Sequence, residues 1–138
     1  MKKFLLTLLV LVITATYGLC NTNSFDKYGS KTGSYKTNAS GTITQYNKRG
    51  DKEYTYKKTS SGYTTYDKYG QKKGSFKTSG NTITEYNKYG SKVATYKTNG
   101  NVTTNYDKYG QKTGSYKTDS TGRITEYDKY GRKVRSYK

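Results

Sequence analysis

The segment Tyr86-Asn87-Lys88-Tyr89-Gly90, followed by Ser91-Lys92-Val93-Ala94-Thr95-Tyr96-Lys97-Thr98, is one copy of a unit that repeats to the end of the chain. Its first five residues are the most regular part. Copies of this five-residue anchor begin at Phe25, Tyr46, Tyr66, Tyr86, Tyr106 and Tyr127, at a spacing of 20 or 21 residues. Such a fixed period is typical of repeat proteins, whose units are too small to bury an apolar face alone. We therefore interpret 21–138 as one domain of about six repeats.

The anchor has the composition of a tight turn between two strands. Its Asp or Asn can accept backbone hydrogen bonds, and its Gly can take the left-handed conformation that follows a type I turn. This combination predicts a three-residue hairpin with a bulge. A second turn follows about ten residues later, as Ser79-Gly80-Asn81 or as the longer Asp119-Ser120-Thr121-Gly122, and its variable length explains the two spacings.

Short runs rich in Thr, Tyr, Ile and Val lie between the turns, and the chain contains no proline. This pattern predicts an all-β fold of tandem β-hairpin repeats, with about 11–12 short strands in an antiparallel meander. Because strands twist with a fixed hand, a sheet of this size curls. We expect a closed or nearly closed shallow barrel, which removes the sheet edges, with an open single-layer or spiral sheet as the alternative.

Counting outwards from the turn at 87–90 pairs residue 86 with 92, 84 with 94, and 82 with 96. This register places Tyr86, Ala94 and Tyr96 on one face. The Ala94 position is glycine in three other repeats, and a small residue between tyrosines leaves room for an aromatic ring. We therefore predict that this face forms the core and that the face with Ile83 and Glu85 lies outside.

The first 20 residues have the pattern of a secretory signal peptide. A short basic start, Met1-Lys2-Lys3, precedes an apolar run that is too short for an ordinary membrane span. Cleavage after Gly18 or after Cys20 fits equally well. Cys20 also stands where a bacterial lipoprotein carries its lipidated cysteine, although Tyr17 and Leu19 depart from the usual residues before it. We expect a secreted or cell-envelope protein, extracellular or periplasmic, with lipidation at Cys20 as the alternative.

The chain carries a formal net charge of +17, and only 30% of its residues are hydrophobic. These values alone are compatible with disorder, but 18 tyrosines and three phenylalanines at periodic positions favour a packed structure. The charge predicts attraction to anionic partners: anionic polysaccharide, lipopolysaccharide, teichoic acid or extracellular nucleic acid. Since the lysines are spread over all repeats, a solvated face that protects sheet edges is the competing interpretation.

Residues with catalytic potential are scarce. The chain has no histidine, and its one cysteine is Cys20, so the common nucleophile–base pairs and most transition-metal sites are not expected. The recurring aspartates Asp26, Asp67, Asp107 and Asp128 are interpreted as turn caps. We therefore predict that the protein is not an enzyme, uses no cofactor and binds no metal. The predicted strands are also too short, and neither face is apolar enough, for a transmembrane span in the mature chain.

Each anchor except the second carries a Lys-Tyr pair inside its turn. Aromatic rings beside cations can stack on bases or sugars while the lysines contact phosphate or carboxylate. The alternative is that each ring folds back over its own hairpin and shields the next one. The candidate contact residues are Lys27, Tyr28, Lys68, Tyr69, Lys88, Tyr89, Lys108, Tyr109, Lys129 and Tyr130.

The last repeat, Gly122-Arg123-Ile124-Thr125-Glu126-Tyr127-Asp128-Lys129-Tyr130-Gly131-Arg132-Lys133-Val134, resembles the YD repeat of the RHS family. In that family, Gly-Arg-Leu-Thr precedes Tyr-Asp-x-x-Gly-Arg at a similar period. The resemblance extends over roughly 25–138 through the Tyr-Asp and Gly positions, and only the final unit has both arginines. It implies a secreted or surface scaffold of hairpin repeats. The enclosing shell of large RHS proteins does not carry over, because this chain is too short to surround a cargo.

These observations predict a secreted or cell-surface repeat scaffold that binds anionic envelope or matrix polymers through a basic, tyrosine-rich surface. The alternative is a structural surface protein that associates with itself through the open ends of its sheet.

Overall fold

The computed structural model describes residues 21–138 as twelve β-strands without a helix. Their bounds are β1 (Asn21–Asp26), β2 (Lys31–Thr37), β3 (Ile43–Asn47), β4 (Lys52–Thr59), β5 (Gly62–Asp67), β6 (Lys72–Ser79), β7 (Thr82–Asn87), β8 (Lys92–Asn99), β9 (Val102–Asp107), β10 (Lys112–Thr118), β11 (Ile124–Asp128) and β12 (Lys133–Tyr137). The predicted signal peptide and Cys20 lie outside the described residues.

Every strand pairs antiparallel with the strands before and after it, and β1 also pairs with β12. In that closing pair, Ser24 faces Tyr137, and the N–H of Asn23 donates to the carbonyl of Lys138 at 2.8 Å. The sheet is thus a closed barrel, and the predicted all-β meander of tandem hairpins is confirmed. Within 21–138, no strand edge is left without a neighbour.

The second turns have the two lengths predicted from the repeat spacing. In three hairpins the strands are joined by two residues, for example Gly80 and Asn81 between Ser79 and Thr82. Longer turns join β2 to β3 and β10 to β11. In the second of these, Thr118 and Ile124 form the last pair before the turn. These two longer turns fall within the two 21-residue repeats, so they account for the extra residue.

The core lies inside the barrel and is built mainly of aromatic rings. Each even-numbered strand contributes one ring that is no more than 3% exposed: Tyr35, Tyr56, Phe76, Tyr96, Tyr116 and Tyr137. Ile43, Ile83 and Ile124 pack against them from alternate odd-numbered strands. Large rings compensate for the low apolar content because each one removes much apolar surface from water.

The predicted register and core face were partly wrong. Tyr86 does face Lys92, but Glu85 faces Ala94 and Ile83 faces Tyr96. A bulge next to the turn adds one residue to β8, which shifts its alternation by one relative to β7. Ala94 and Tyr96 are therefore inside, as predicted, but their inward partners are Ile83 and Glu85, and Tyr86 lies on the outer wall. A one-residue slip moves side chains to the opposite face.

A polar layer lies inside the barrel, one step nearer to the anchor turns than the isoleucines. It consists of Ser24, Gln45, Thr65, Glu85, Asn105 and Glu126, all buried. Three core phenols donate hydrogen bonds into this layer: Tyr56 to Gln45 at 2.8 Å, Tyr96 to Glu85 at 2.6 Å, and Tyr137 to Glu126 at 3.1 Å. The phenol is therefore the suitable core ring, because it packs like phenylalanine and still satisfies a buried polar neighbour.

Candidate binding surface at one end of the barrel

All six anchor turns lie at the same end of the barrel, because each one joins an odd-numbered strand to the next even-numbered strand of an antiparallel ring. We call this end the rim and define it by residues 27–30, 48–51, 68–71, 88–91, 108–111 and 129–132. The rim brings together all ten candidate contact residues in a circular order. The sequence places a Lys-Tyr pair in five of its turns and Lys48-Arg49 in the sixth.

The rim turns have the predicted local geometry. In the fifth turn, Asp107 Oδ1 accepts hydrogen bonds from the N–H groups of Tyr109 and Gln111, both at 2.9 Å. The N–H of Gly110 donates to the carbonyl of Asp107 at 3.1 Å, and Gly110 has a φ of 84°. The interpretation of Asp107 as a turn cap is confirmed, and the cap holds the backbone of Tyr109 in the turn.

The five rim tyrosines point into solvent. These residues are between 71% and 81% exposed, and they are Tyr28, Tyr69, Tyr89, Tyr109 and Tyr130. They do not fold back to shield a neighbouring hairpin, so packing between repeats does not explain why a ring is present. A single exposed ring on a protein surface needs no explanation, but five exposed rings at equivalent positions of one end indicate an interaction surface.

Each rim tyrosine is covered by the lysine of its own turn. The Nζ atom lies 4.8 or 4.9 Å from the ring centroid in all five pairs. Arg132 lies over the Tyr130 ring as well, at 5.2 Å. A cation at this distance is attracted to the ring face. The rim therefore presents five compact units, each with one aromatic ring and a lysine above it, and the unit at Tyr130 also has Arg132.

A second series of tyrosines lies on the outer wall of the barrel. The predicted register placed these tyrosines in the core, and that prediction was wrong. These half-buried rings belong to the first anchor position, and four of them have a lysine of the preceding strand above them at 5.1 to 5.6 Å. The pairs are Lys36 with Tyr46, Lys57 with Tyr66, Lys77 with Tyr86, and Lys97 with Tyr106. The predicted turn includes a bulge, and counting one extra residue for it would have placed these tyrosines on the outer wall.

On the outer wall of the barrel formed by residues 21–138, positive side chains are present without negative ones. The six aspartates lie in or beside turns, and Glu85 and Glu126 are buried inside the barrel. Glu53, at the bulge of β4, accepts a hydrogen bond from the inward Gln45. No carboxylate therefore lies on the outer wall between the turns of the described chain, whereas lysines are present there on successive hairpins. The outside of the barrel has a strongly positive field.

The buried phenols have strongly altered acidity. Burial raises the pKa of Tyr96 above its usual value, and the charge of the adjacent Glu85 adds to that effect. Burial likewise raises the pKa of Tyr56 and of Tyr35. These groups stay neutral, and Tyr56 and Tyr96 donate hydrogen bonds, which fits a structural function. Among residues 21–138, no three acidic side chains are grouped in a way that could hold a metal ion.

Comparison with known proteins gives no functional assignment. No protein-family model matches the chain, and no curated protein is significantly similar to it. The likeness of 122–134 to the YD repeat stays a resemblance. In the described part of the chain, nothing helical is long and apolar enough to cross a membrane.

Proposed function

We propose that this protein is a secreted or cell-surface scaffold that binds anionic polymers of the envelope or matrix through the rim. The observation that carries the proposal is the set of five exposed tyrosines, each covered by a lysine, at one end of a barrel whose outside is strongly basic. A polymer with regularly spaced negative charges can contact several of these units at once.

Binding at the rim uses the two parts of each unit together. A lysine such as Lys88 can move from the ring of Tyr89 to a phosphate, sulfate or carboxylate of the polymer. The ring face then becomes available to stack on a base or on the C–H face of a sugar. Each contact of this kind is weak alone. Once one unit of the barrel has bound the polymer, the other units are held close to it, so their contacts increase the total affinity.

Two variants with the same loss of charge test the location of binding. The rim variant replaces Lys68, Lys88, Lys108 and Lys129 with Gln, and the wall variant replaces Lys36, Lys57, Lys77 and Lys97 with Gln. On immobilised dextran sulfate, we expect the wild type to be retained at low salt and released as salt rises, because binding displaces counterions. The rim variant should be released at clearly lower salt than the wall variant.

Two outcomes oppose the proposal. If the wild type passes through the column at low salt, the protein does not bind this polyanion. If the rim and wall variants are released at the same salt concentration, net charge alone governs retention and the rim is not a binding surface. Replacing the five rim tyrosines with Ser, which leaves the charge unchanged, shows the contribution of the rings.

The proposed location rests on residues 1–20 and is tested separately. Expression with the native leader, followed by intact mass determination of the mature protein, identifies the cleavage position and any acyl chains on Cys20. Ordinary cleavage after Gly18 or Cys20 supports a secreted protein, and an acylated Cys20 supports a lipid anchor. A full-length cytoplasmic product opposes the proposed location.

A further inference from the structure

A cavity of about 520 Å³ opens at the rim between the second and third anchor turns. Its lining includes three carboxylates, Asp51, Glu53 and Asp67, and three lysines, Lys52, Lys68 and Lys73. The ring of Tyr54 also lines it. A cavity of this size is within the range of small-molecule sites. On an otherwise strongly basic surface, positive and negative groups are equal in number here.

The repeats themselves show that part of this lining is not required for folding. Elsewhere in the chain, the position of Asp51 holds Ser30, Gln71, Ser91, Gln111 or Arg132. The position of Glu53 holds Thr32, Lys73, Val93, Thr113 or Val134, and that of Tyr54 holds Gly33, Gly74, Ala94, Gly114 or Arg135. No other repeat has a carboxylate or a tyrosine at these places. Since all six anchor turns form, the turn does not require these three residues, and all three line one cavity.

Neutral neighbours hold two of the carboxylates in place. Asp51 Oδ2 accepts a hydrogen bond from the side-chain amide of Asn47 at 2.9 Å. Glu53 Oε2 accepts one from Gln45 Nε2 at 3.1 Å, and Gln45 Oε1 in turn accepts one from the Tyr56 hydroxyl at 2.8 Å. Gln45 is only 2% exposed, so this chain of hydrogen bonds ties Glu53 to the core. Neither Asp51 nor Glu53 forms an ion pair with a cation of the described residues.

We propose that this cavity binds a small zwitterion, such as a free amino acid. The ammonium group of the ligand contacts Asp51 and Glu53, its carboxylate contacts Lys73 or Lys52, and its apolar part lies against Tyr54. Equal numbers of the two charges favour this class of ligand, because the carboxylates repel a simple anion and the lysines repel a simple amine. This function goes beyond polymer binding at the rim, although one rim unit, Lys68 with Tyr69, also lines the cavity.

Three related probes test the zwitterion requirement. L-phenylalanine carries both charges, phenethylamine carries only the ammonium, and 3-phenylpropionate carries only the carboxylate. In a titration followed by amide NMR shifts, we expect L-phenylalanine to move signals of residues 47–54 and 67–73. Each single-charge probe should bind about tenfold more weakly, since it lacks one set of charge-assisted hydrogen bonds.

Variants that copy other repeats separate binding from folding. The double variant Asp51→Ser with Glu53→Thr carries the residues found at 30 and 32, and Lys73→Thr carries the residue found at 113. We expect the double variant to bind L-phenylalanine about tenfold more weakly. Lys73→Thr should weaken the binding of 3-phenylpropionate and should not weaken the binding of phenethylamine, since it removes a positive charge. Ser91→Gln with Val93→Thr, which exchanges residues among repeats away from the cavity, is the matched control and should bind as the wild type does.

The proposal fails if L-phenylalanine moves no signal of the cavity residues, or moves those of all six turns equally. It also fails if phenethylamine binds as tightly as L-phenylalanine, or if the double variant binds as well as the control. None of these outcomes bears on polymer retention at the rim, which is measured on a column without these ligands.

Discussion

At the scale of single residues, two adjacent repeats differ both in the core ring and in the polar residue beside it. Tyr96 donates to Glu85, and the equivalent positions one repeat earlier are Phe76 and Thr65. Phe76 has no hydroxyl to donate, and Thr65 Oγ1, although buried, has no hydrogen-bond partner within the described residues. One repeat thus pairs a phenol with a carboxylate, and the repeat before it pairs a phenylalanine with a short threonine.

This pairing predicts the result of exchanging one repeat's residues for another's. Tyr96→Phe should destabilise the protein by about 1–3 kcal/mol, because the buried Glu85 loses a hydrogen bond at 2.6 Å. The double variant Tyr96→Phe with Glu85→Thr recreates the pair at 76 and 65 and should recover most of the loss. Urea unfolding of both single variants and the double variant measures the coupling. A double variant as unstable as the sum of its single changes would contradict this account.

At the scale of the hairpin, the sequence predicts those features that depend on residues close together in the chain. The Asp or Asn cap and the left-handed Gly act within five residues, so the turn and the strand count were correct. The prediction of which residues face the core was wrong because it assumed that side chains alternate without interruption from Tyr86 to Tyr96. The bulge beside the turn interrupts that alternation. The predicted turn already implies that bulge, so the inward position of Ile83 and Glu85 was recoverable. The cavity depends on two neighbouring hairpins, which a single repeat does not reveal.

The rim turn also allows backbone strain to be measured without a packing change. Gly110 has a φ of 84°, and a Cβ atom placed on it would meet no atom within 4 Å. Gly110→Ala should therefore cost about 1–2 kcal/mol from the left-handed conformation alone. Gly110→Asn should cost less, because Asn tolerates this region better. Thermal unfolding of the two variants checks the order, and equal losses for Ala and Asn would indicate that the turn adopts a different conformation.

At the scale of the whole molecule, closure depends on a contact that no local pattern encodes. The pairing of β1 with β12 joins the two ends of the described chain, and it forms only when the curvature of all hairpins brings those ends together. The sequence pattern therefore predicts a closed barrel but does not exclude an open sheet. Closure also removes the open ends on which the self-association alternative was based.

A closed ring predicts a monomer. Because every strand of 21–138 is paired on both sides, edge-to-edge addition of a second copy has no free backbone to use. The strong positive charge of the surface also opposes contact between copies. We expect light scattering to give the monomer mass across a wide concentration range at moderate salt. Growth of the mass with concentration would show that another surface associates.

The buried phenols predict a specific alkaline limit to stability. Burial raises the pKa of Tyr35, Tyr56 and Tyr96 above the value of 10.0 for a free phenol. The folded protein therefore keeps these protons at a pH where the unfolded chain has released them. Their contribution is constant below about pH 10, and stability then falls with rising pH by about 1.4 kcal/mol per pH unit for each phenol.

At this alkaline limit, ionisation of the buried phenols and unfolding of the barrel should occur together. We expect the phenolate absorbance of the buried class to appear in the same step as the loss of the β-sheet circular dichroism signal. Tyr96→Phe removes one such phenol, so the free energy of unfolding should fall less steeply above pH 10 in this variant than in the wild type. Lysines also titrate in this range, but they are the same in both proteins, so the difference in slope isolates the phenol. If all tyrosines ionise while the sheet signal persists, the core rings are in contact with water and the barrel is not closed around them.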